Sequence, residues 1–214
     1  MPAAHAAVAN SKGDTMADIT IEDIKRLRSL TGVGITDAKA ALVEAKGDFD
    51  SALAAMRKKG LTKAEKRGER EARAGIIGTY NHDGRIGVLV EVNCETDFVA
   101  RNELFTDLVK DLAMHIAATS PEFVSSDDVT AEAKTAKTAE FTDKAKTDGK
   151  PEAMIGNIVG GMLKKHFAER CLLDQPFVKN PDQTVDNYVK EHIAKLGENI
   201  VVRRFNRIAL GEVA

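Results

Sequence analysis

An acid stands directly before an aromatic at Asp97-Phe98, within Cys94-Glu95-Thr96-Asp97-Phe98-Val99-Ala100-Arg101-Asn102-Glu103-Leu104-Phe105. The chemistry open to such a pair is recognition. A carboxylate attracts or competes for donors, and a ring can fill an apolar gap in another protein. The competing use is domestic: Thr96 or Asp97 caps a helix and Phe98 is core. Spacing alone favours the domestic use.

Residues for bond-making chemistry do not assemble elsewhere. There is no Gly-x-x-x-x-Gly-Lys-Ser/Thr phosphate loop. Gly156, Gly160 and Gly161 sit inside an apolar helical pattern and read as a close helix-packing site. His5, His82, His115, His166 and His192 are scattered, and none pairs at ligand spacing with another His or Cys. His115 flanks an apolar stripe and reads as packed. No carboxylate pair stands out as acid and base. Cys94 and Cys171 make neither a disulfide framework nor a metal knuckle, which suits a reducing compartment. A binding factor is therefore expected, not an enzyme, with no cofactor and no metal.

Bulk properties narrow the partners. The net charge is -2, and aromatics are 5% with no Trp, so base-stacking platforms and direct nucleic-acid binding are not expected. No apolar run reaches bilayer length, and residues 1–15 lack the features of a secretory signal. A cytoplasmic chain is expected. Residues 1–17 read as a disordered extension, with Met16 as an alternative start.

Several elements must position Asp97 and Phe98. Thr20-Ile21-Glu22-Asp23 fits a capping box, and Ile21, Ile24, Leu27 and Leu30 follow at helical spacing. Thr31-Gly32-Val33-Gly34 breaks the pattern. A second helix is expected over 36–46, with Ala38, Ala41, Leu42 and Ala45 apolar. Gly47 and Asp48 suit a stop and a new cap, and Phe49, Ala52, Leu53 and Met56 mark a third helix. Residues 18–57 thus read as a small three-helix, UBA-like docking module. Residues 57–73 carry eight basic and three acidic residues and no aromatic. A solvated basic linker with some helix is expected over 58–74, a nucleic-acid patch being the other reading.

The remainder, 75–214, reads as an α+β core. Strands 75–80 and 85–94 flank an Asp83-Gly84 turn, and Ile86, Val88, Val90, Val92 and Cys94 share one face. A helix is expected from the 96–102 junction to about Ala118. Residues 119–150 read as a polar surface segment, partly helical and mobile. Helices beginning near Pro151 and spanning 184–196 follow, then a strand over 200–210. The fold class is α+β: a small antiparallel sheet covered by helices.

Three stretches of this chain resemble bacterial elongation factor Ts. They are Ile24 to Ile35 with Asp37 to Leu42, then Glu91 to Asn102, then Gln175-Pro176-Phe177-Val178. The resemblance implies a guanine-nucleotide exchange factor for elongation factor Tu in its GDP-bound and nucleotide-free forms. It implies that Thr96, Asp97, Phe98 and Val99 disturb the partner's bound magnesium, with Phe98 entering a gap between partner helices. It implies docking of the N-terminal module through Arg28, Gly32, Val33, Gly34 and Ile35. The chain resembles a short, single-core type, without the second core half and inserted coiled coil of longer members. That type implies a homodimer paired through the core. Two rival functions stay open on the residues alone: an adaptor using the three-helix module, and an RNA-binding factor using the basic stretch.

Overall fold

The computed structural model describes residues 19–212, so the extension expected at 1–17 lies outside the described residues. Two compact units divide at Lys58/Lys59.

In the first unit, α1 (Ile21–Thr31) starts on the expected capping box. Thr20 Oγ1 accepts from Asp23 N at 3.0 Å, and Asp23 Oδ2 accepts from Thr20 N at 3.4 Å. The helix stops where Gly32 takes a left-handed φ of 68° and donates its N–H to Arg28 O. Next comes α2 (Ile35–Glu44), and Gly47 N reaches back to Leu42 O at 2.8 Å. Asp48 then caps α3 (Phe49–Glu65), accepting from Asp50 N and Ser51 Oγ. Leu27, Ala38, Ala41, Leu42, Ala52 and Met56 form a core. It is narrower than the α1 stripe promised, since Ile21 and Leu30 are exposed.

The helix α3 does not stop at 57 but runs to Glu65. Within the second unit, buried Gly60 lies against Ala194 and Ala64 joins the main core. Arg67 Nη1 donates to Ile193 O at 3.1 Å, and Lys190 pairs with Glu65. The stretch expected as a solvated linker with some helix is thus helix to Glu65, packed on one face, and then a tethered turn. The small residues at 60 and 64, one helical turn apart, supply a packing face that the charge count concealed.

Three antiparallel strands make the sheet of the second unit, in the order β1 (Ala74–His82), β2 (Ile86–Cys94), β5 (Ile200–Ala209). The expected turn forms with positive φ at Asp83 and Gly84. Val88, Val90 and Val92 face inward against Phe105, Leu108, Leu112 and Ile116 of α5 (Glu103–Thr119). Gly78 permits that approach, because a Cβ there would collide with Val109 Cγ1. The opposite face of the sheet carries Ile77, Leu89 and Ile208, all exposed. The α+β class is as the sequence indicates.

The polar segment expected to be partly helical holds one full helix. Thr130 caps α6 (Ala131–Thr147), which packs on α7 (Glu152–Ala168) as a helical hairpin. Ala, Lys and Glu sustain a helix by propensity even where few side chains are buried. Gly156, Gly160 and Gly161 have nothing within 4 Å of where a Cβ would stand, so they pack no helix closely among the described residues. A small ribbon of β3 (Pro176–Phe177) and β4 (Asn180–Thr184) precedes α8 (Val185–Leu196), which ends at left-handed Gly197.

Candidate partner-docking site

Local caps shape the 94–105 junction. A single turn, α4 (Asp97–Ala100), begins at Thr96, whose Oγ1 accepts from Val99 N at 3.4 Å. The helix expected from the junction to Ala118 does not run through it. Asn102 re-caps the chain, accepting from Leu104 N at 2.9 Å, and α5 starts afresh. Each short-polar side chain offers the backbone an alternative to continuing one helix. The result is a stepped corner that sorts its side chains. Val99 and Ala100 are buried in the core, whereas Asp97 and Phe98 point away from it. Phe98 is 83% exposed, the most exposed large apolar side chain among the described residues. The domestic reading of the motif holds only in part: Thr96 caps, but Phe98 is not core.

The corner is tied down from a distance. Glu198, just after α8, accepts from Glu95 N at 3.1 Å, Thr96 N at 3.0 Å and Thr96 Oγ1 at 2.7 Å. Glu95 returns the bond by accepting from Asn199 N at 2.6 Å. Asn199 is buried, and its Nδ2 donates to Arg70 O at 2.7 Å and to Gly68 O at 3.3 Å. Sequence reasoning missed Glu95, Glu198 and Asn199. The available signal was an acid and an amide directly after the Gly197 stop. Beneath the corner, Cys94 is buried with Sγ 3.2 Å from Thr96 O. Burial, with the Glu198 charge second, pushes its thiol up to about 11.

The second set of expected residues lies on the first unit, around the α1–α2 connection. Arg28, Gly32, Gly34 and Ile35 are exposed there, Ile35 to 58%. Val33 is half-buried and packs on the module core. Gly34 is the N-cap of α2 and offers no side-chain bond. The structure therefore presents four of these five side chains or backbones outward and turns Val33 partly in.

His115 is fully buried, as its place beside the stripe suggested. Its Nδ1 accepts from Val178 N at 3.2 Å, so Nε2 carries the proton and donates to Gln175 Oε1 at 2.9 Å. Burial holds this imidazole below its ordinary pKa. It serves the Gln175–Val178 stretch structurally. Among the described residues, no group of three His, Cys, Asp or Glu could hold a metal ion. No helix of the described residues is long and apolar enough to cross a membrane.

Comparison with known proteins agrees with this geometry. The model of the family described as "Elongation factor TS" matches residues 35–212. The chain is 50% identical over 195 residues to "Elongation factor Ts" of Geobacter sulfurreducens, covering 91% of this chain and 90% of that protein. It is likewise 50% identical over 195 residues to "Elongation factor Ts" of Moorella thermoacetica, covering 96% of that protein. The same protein of Alkaliphilus metalliredigens is 49% identical over 194 residues.

Proposed function

Since the chain belongs to the elongation factor Ts family, we propose that its corner residues Asp97 and Phe98 drive guanine-nucleotide exchange on elongation factor Tu. The chain acts in translation and is an exchange factor; it makes and breaks no covalent bond in this role. The rival adaptor and RNA-binding functions are not favoured. A cytoplasmic site of action follows from the same role.

The observation that carries the reading is the 83% exposure of Phe98 on a tethered corner. An exchange factor must bind the nucleotide-free partner better than the nucleotide-bound one, because equal affinity shifts no population. By linkage, nucleotide weakens the factor by the same ratio. Burying a phenylalanine ring contributes about 1.5–3 kcal/mol, and the free chain has left nearly all of that unused. If the ring is accommodated only when the nucleotide site has opened, its burial becomes the required difference. At about 1.4 kcal/mol per tenfold, the upper end is on the order of 100-fold. Asp97, exposed beside it, adds a negative charge that competes with the bound phosphates for magnesium and its ligands. Thr96 and Val99 support the pair from below as cap and buried anchor.

In this reading the 18–57 module docks on the partner through Arg28, Gly32, Gly34 and Ile35, with Val33 shaping the turn. The 75–214 core pairs with a second copy. Ile77, Leu89 and Ile208 favour the outer sheet face for that pairing, because three exposed aliphatic side chains on adjacent strands form an uncovered apolar strip.

The test uses elongation factor Tu loaded with a fluorescent GDP. Wild-type chain accelerates release, and Phe98→Ala loses most of the acceleration while remaining folded. A wild-type chain that leaves release unchanged overturns the reading.

A further inference from the structure

The carboxylate of Glu198 lies 103 residues from Glu95 in sequence, yet it takes three donors from the corner. Those donors are the N–H groups of Glu95 and Thr96 and the hydroxyl of Thr96, at 3.1, 3.0 and 2.7 Å. The reciprocal bond from Asn199 N to Glu95 Oε1 closes a latch between the β2–α4 and α8–β5 connections. Asn199 Nδ2 carries the latch on to the carbonyls of Gly68 and Arg70. Arg70 Nη1 in turn lies 3.6 Å from Glu95 Oε1.

We infer that Glu198 is a positioning residue for nucleotide release, acting through the backbone of Glu95 and Thr96 to hold Phe98 outward before the partner arrives. This rests on the exchange reading above. A helix of four residues cannot hold its own shape, because its nucleation is unfavourable. Something outside α4 must fix its first residue, and bonds from N–H groups to an ionised carboxylate are the stronger kind. A corner fixed in advance loses less freedom on binding, so more of the ring's burial appears as affinity for the open partner. The charge of the carboxylate at 198 sets the strength of these bonds. Oε2 takes the two N–H groups and Oε1 the hydroxyl. A glutamine would keep an oxygen for the two N–H groups and turn its NH₂ to the Thr96 hydroxyl, which also accepts, but it would lose the charge that makes these bonds strong.

The experiment measures fluorescent-GDP release from elongation factor Tu with wild type, Phe98→Ala, Glu198→Gln and the double variant. Glu198→Gln slows release about tenfold, the equivalent of about 1.4 kcal/mol, and Glu198→Asp restores part of the rate. In the Phe98→Ala background Glu198→Gln causes a smaller further loss than in wild type, because only Asp97 is left to position. Amide hydrogen exchange at Glu95 and Thr96 speeds in Glu198→Gln. If Glu198→Gln does not fold, Thr96→Val removes one of the same bonds and is compared with Thr96→Ser, which keeps it. Equal rates for wild type and Glu198→Gln, or losses that simply add in the double variant, overturn the positioning role and leave the exchange reading standing. A wild-type chain without activity overturns both.

Discussion

Phe98 and Val99 are neighbours with opposite fates, and the pair separates function from stability at single-residue resolution. Phe98 is 83% exposed and Val99 is 6% exposed. Phe98→Ala should leave the melting midpoint within about a degree of wild type, since exposed substitutions seldom exceed about 0.5 kcal/mol. It should cut exchange by roughly 30-fold, the effect of about 2 kcal/mol at a central anchor. Val99→Ala should behave the other way, costing about 1–2 kcal/mol by emptying core space. Calorimetry and the release assay read the two effects separately, and a Phe98→Ala chain that melts early contradicts the assignment. At this scale the sequence told much and stopped at a definite point. Acid, aromatic and cap are adjacent, so the motif was visible. Whether Phe98 faced in or out depended on Asn102 restarting the helix and on Glu198, which lies far away in the chain.

At the scale of elements, the local signals were the legible ones. The capping box at Thr20, the Asp83-Gly84 turn and the alternation of Val88, Val90 and Val92 each use residues within one or two turns or one strand, and each forms as read. Periodicity gave the direction of a stripe but not its depth, which is why Ile21 and Leu30 look buried in sequence and are not. Composition misled once and was vague once. Charge in 58–74 hid the face of Gly60 and Ala64, and the polar run before Pro151 pointed to some helix without bounds for α6. Two predictions belong here. Gly78→Ala forces a methyl onto Val109 in the α5–β1 contact and should cost about 1–3 kcal/mol, read as a lower denaturation midpoint. The link from α5 to the Gln175–Val178 stretch through His115 gives a pH effect. Its folded pKa is lowered by burial from an ordinary 6.5, as are those of His166 and His192. The unfolded chain therefore binds these protons first. Stability is full above about pH 6.5 and falls as pH drops below it, toward the lower folded values. Melting midpoints that stay flat from about pH 7 to pH 5 would contradict this.

The whole molecule has few aromatics and a modest core in each unit, and it still displays Ile77, Leu89 and Ile208 on one sheet face. Uncovered strips of this kind mark surfaces that meet another protein. Leu89→Glu should leave the fold intact, because the side chain is 52% exposed, and should halve the sedimenting mass of the proposed homodimer. A mass unchanged by Leu89→Glu at micromolar concentration would move the pairing surface elsewhere. The units on either side of Lys58 are separately compact. Docking by one and pairing by the other would allow Arg28 or Ile35 variants to weaken partner binding without altering self-association.

The thiol of Cys94 sits under the corner with its sulfur against Thr96 O, fully buried, and its pKa is raised to about 11. A thiol in that place is a built-in reporter. No labelling reagent can reach it while the latch is closed, and the thiolate is scarce at neutral pH. Because the thiolate is scarce, its rate of modification by a thiol reagent in native buffer reports the fraction of time the corner stands open. Loosening the latch raises that rate and partner binding suppresses it. The chain thus carries its own readout of how firmly the proposed exchange wedge is held.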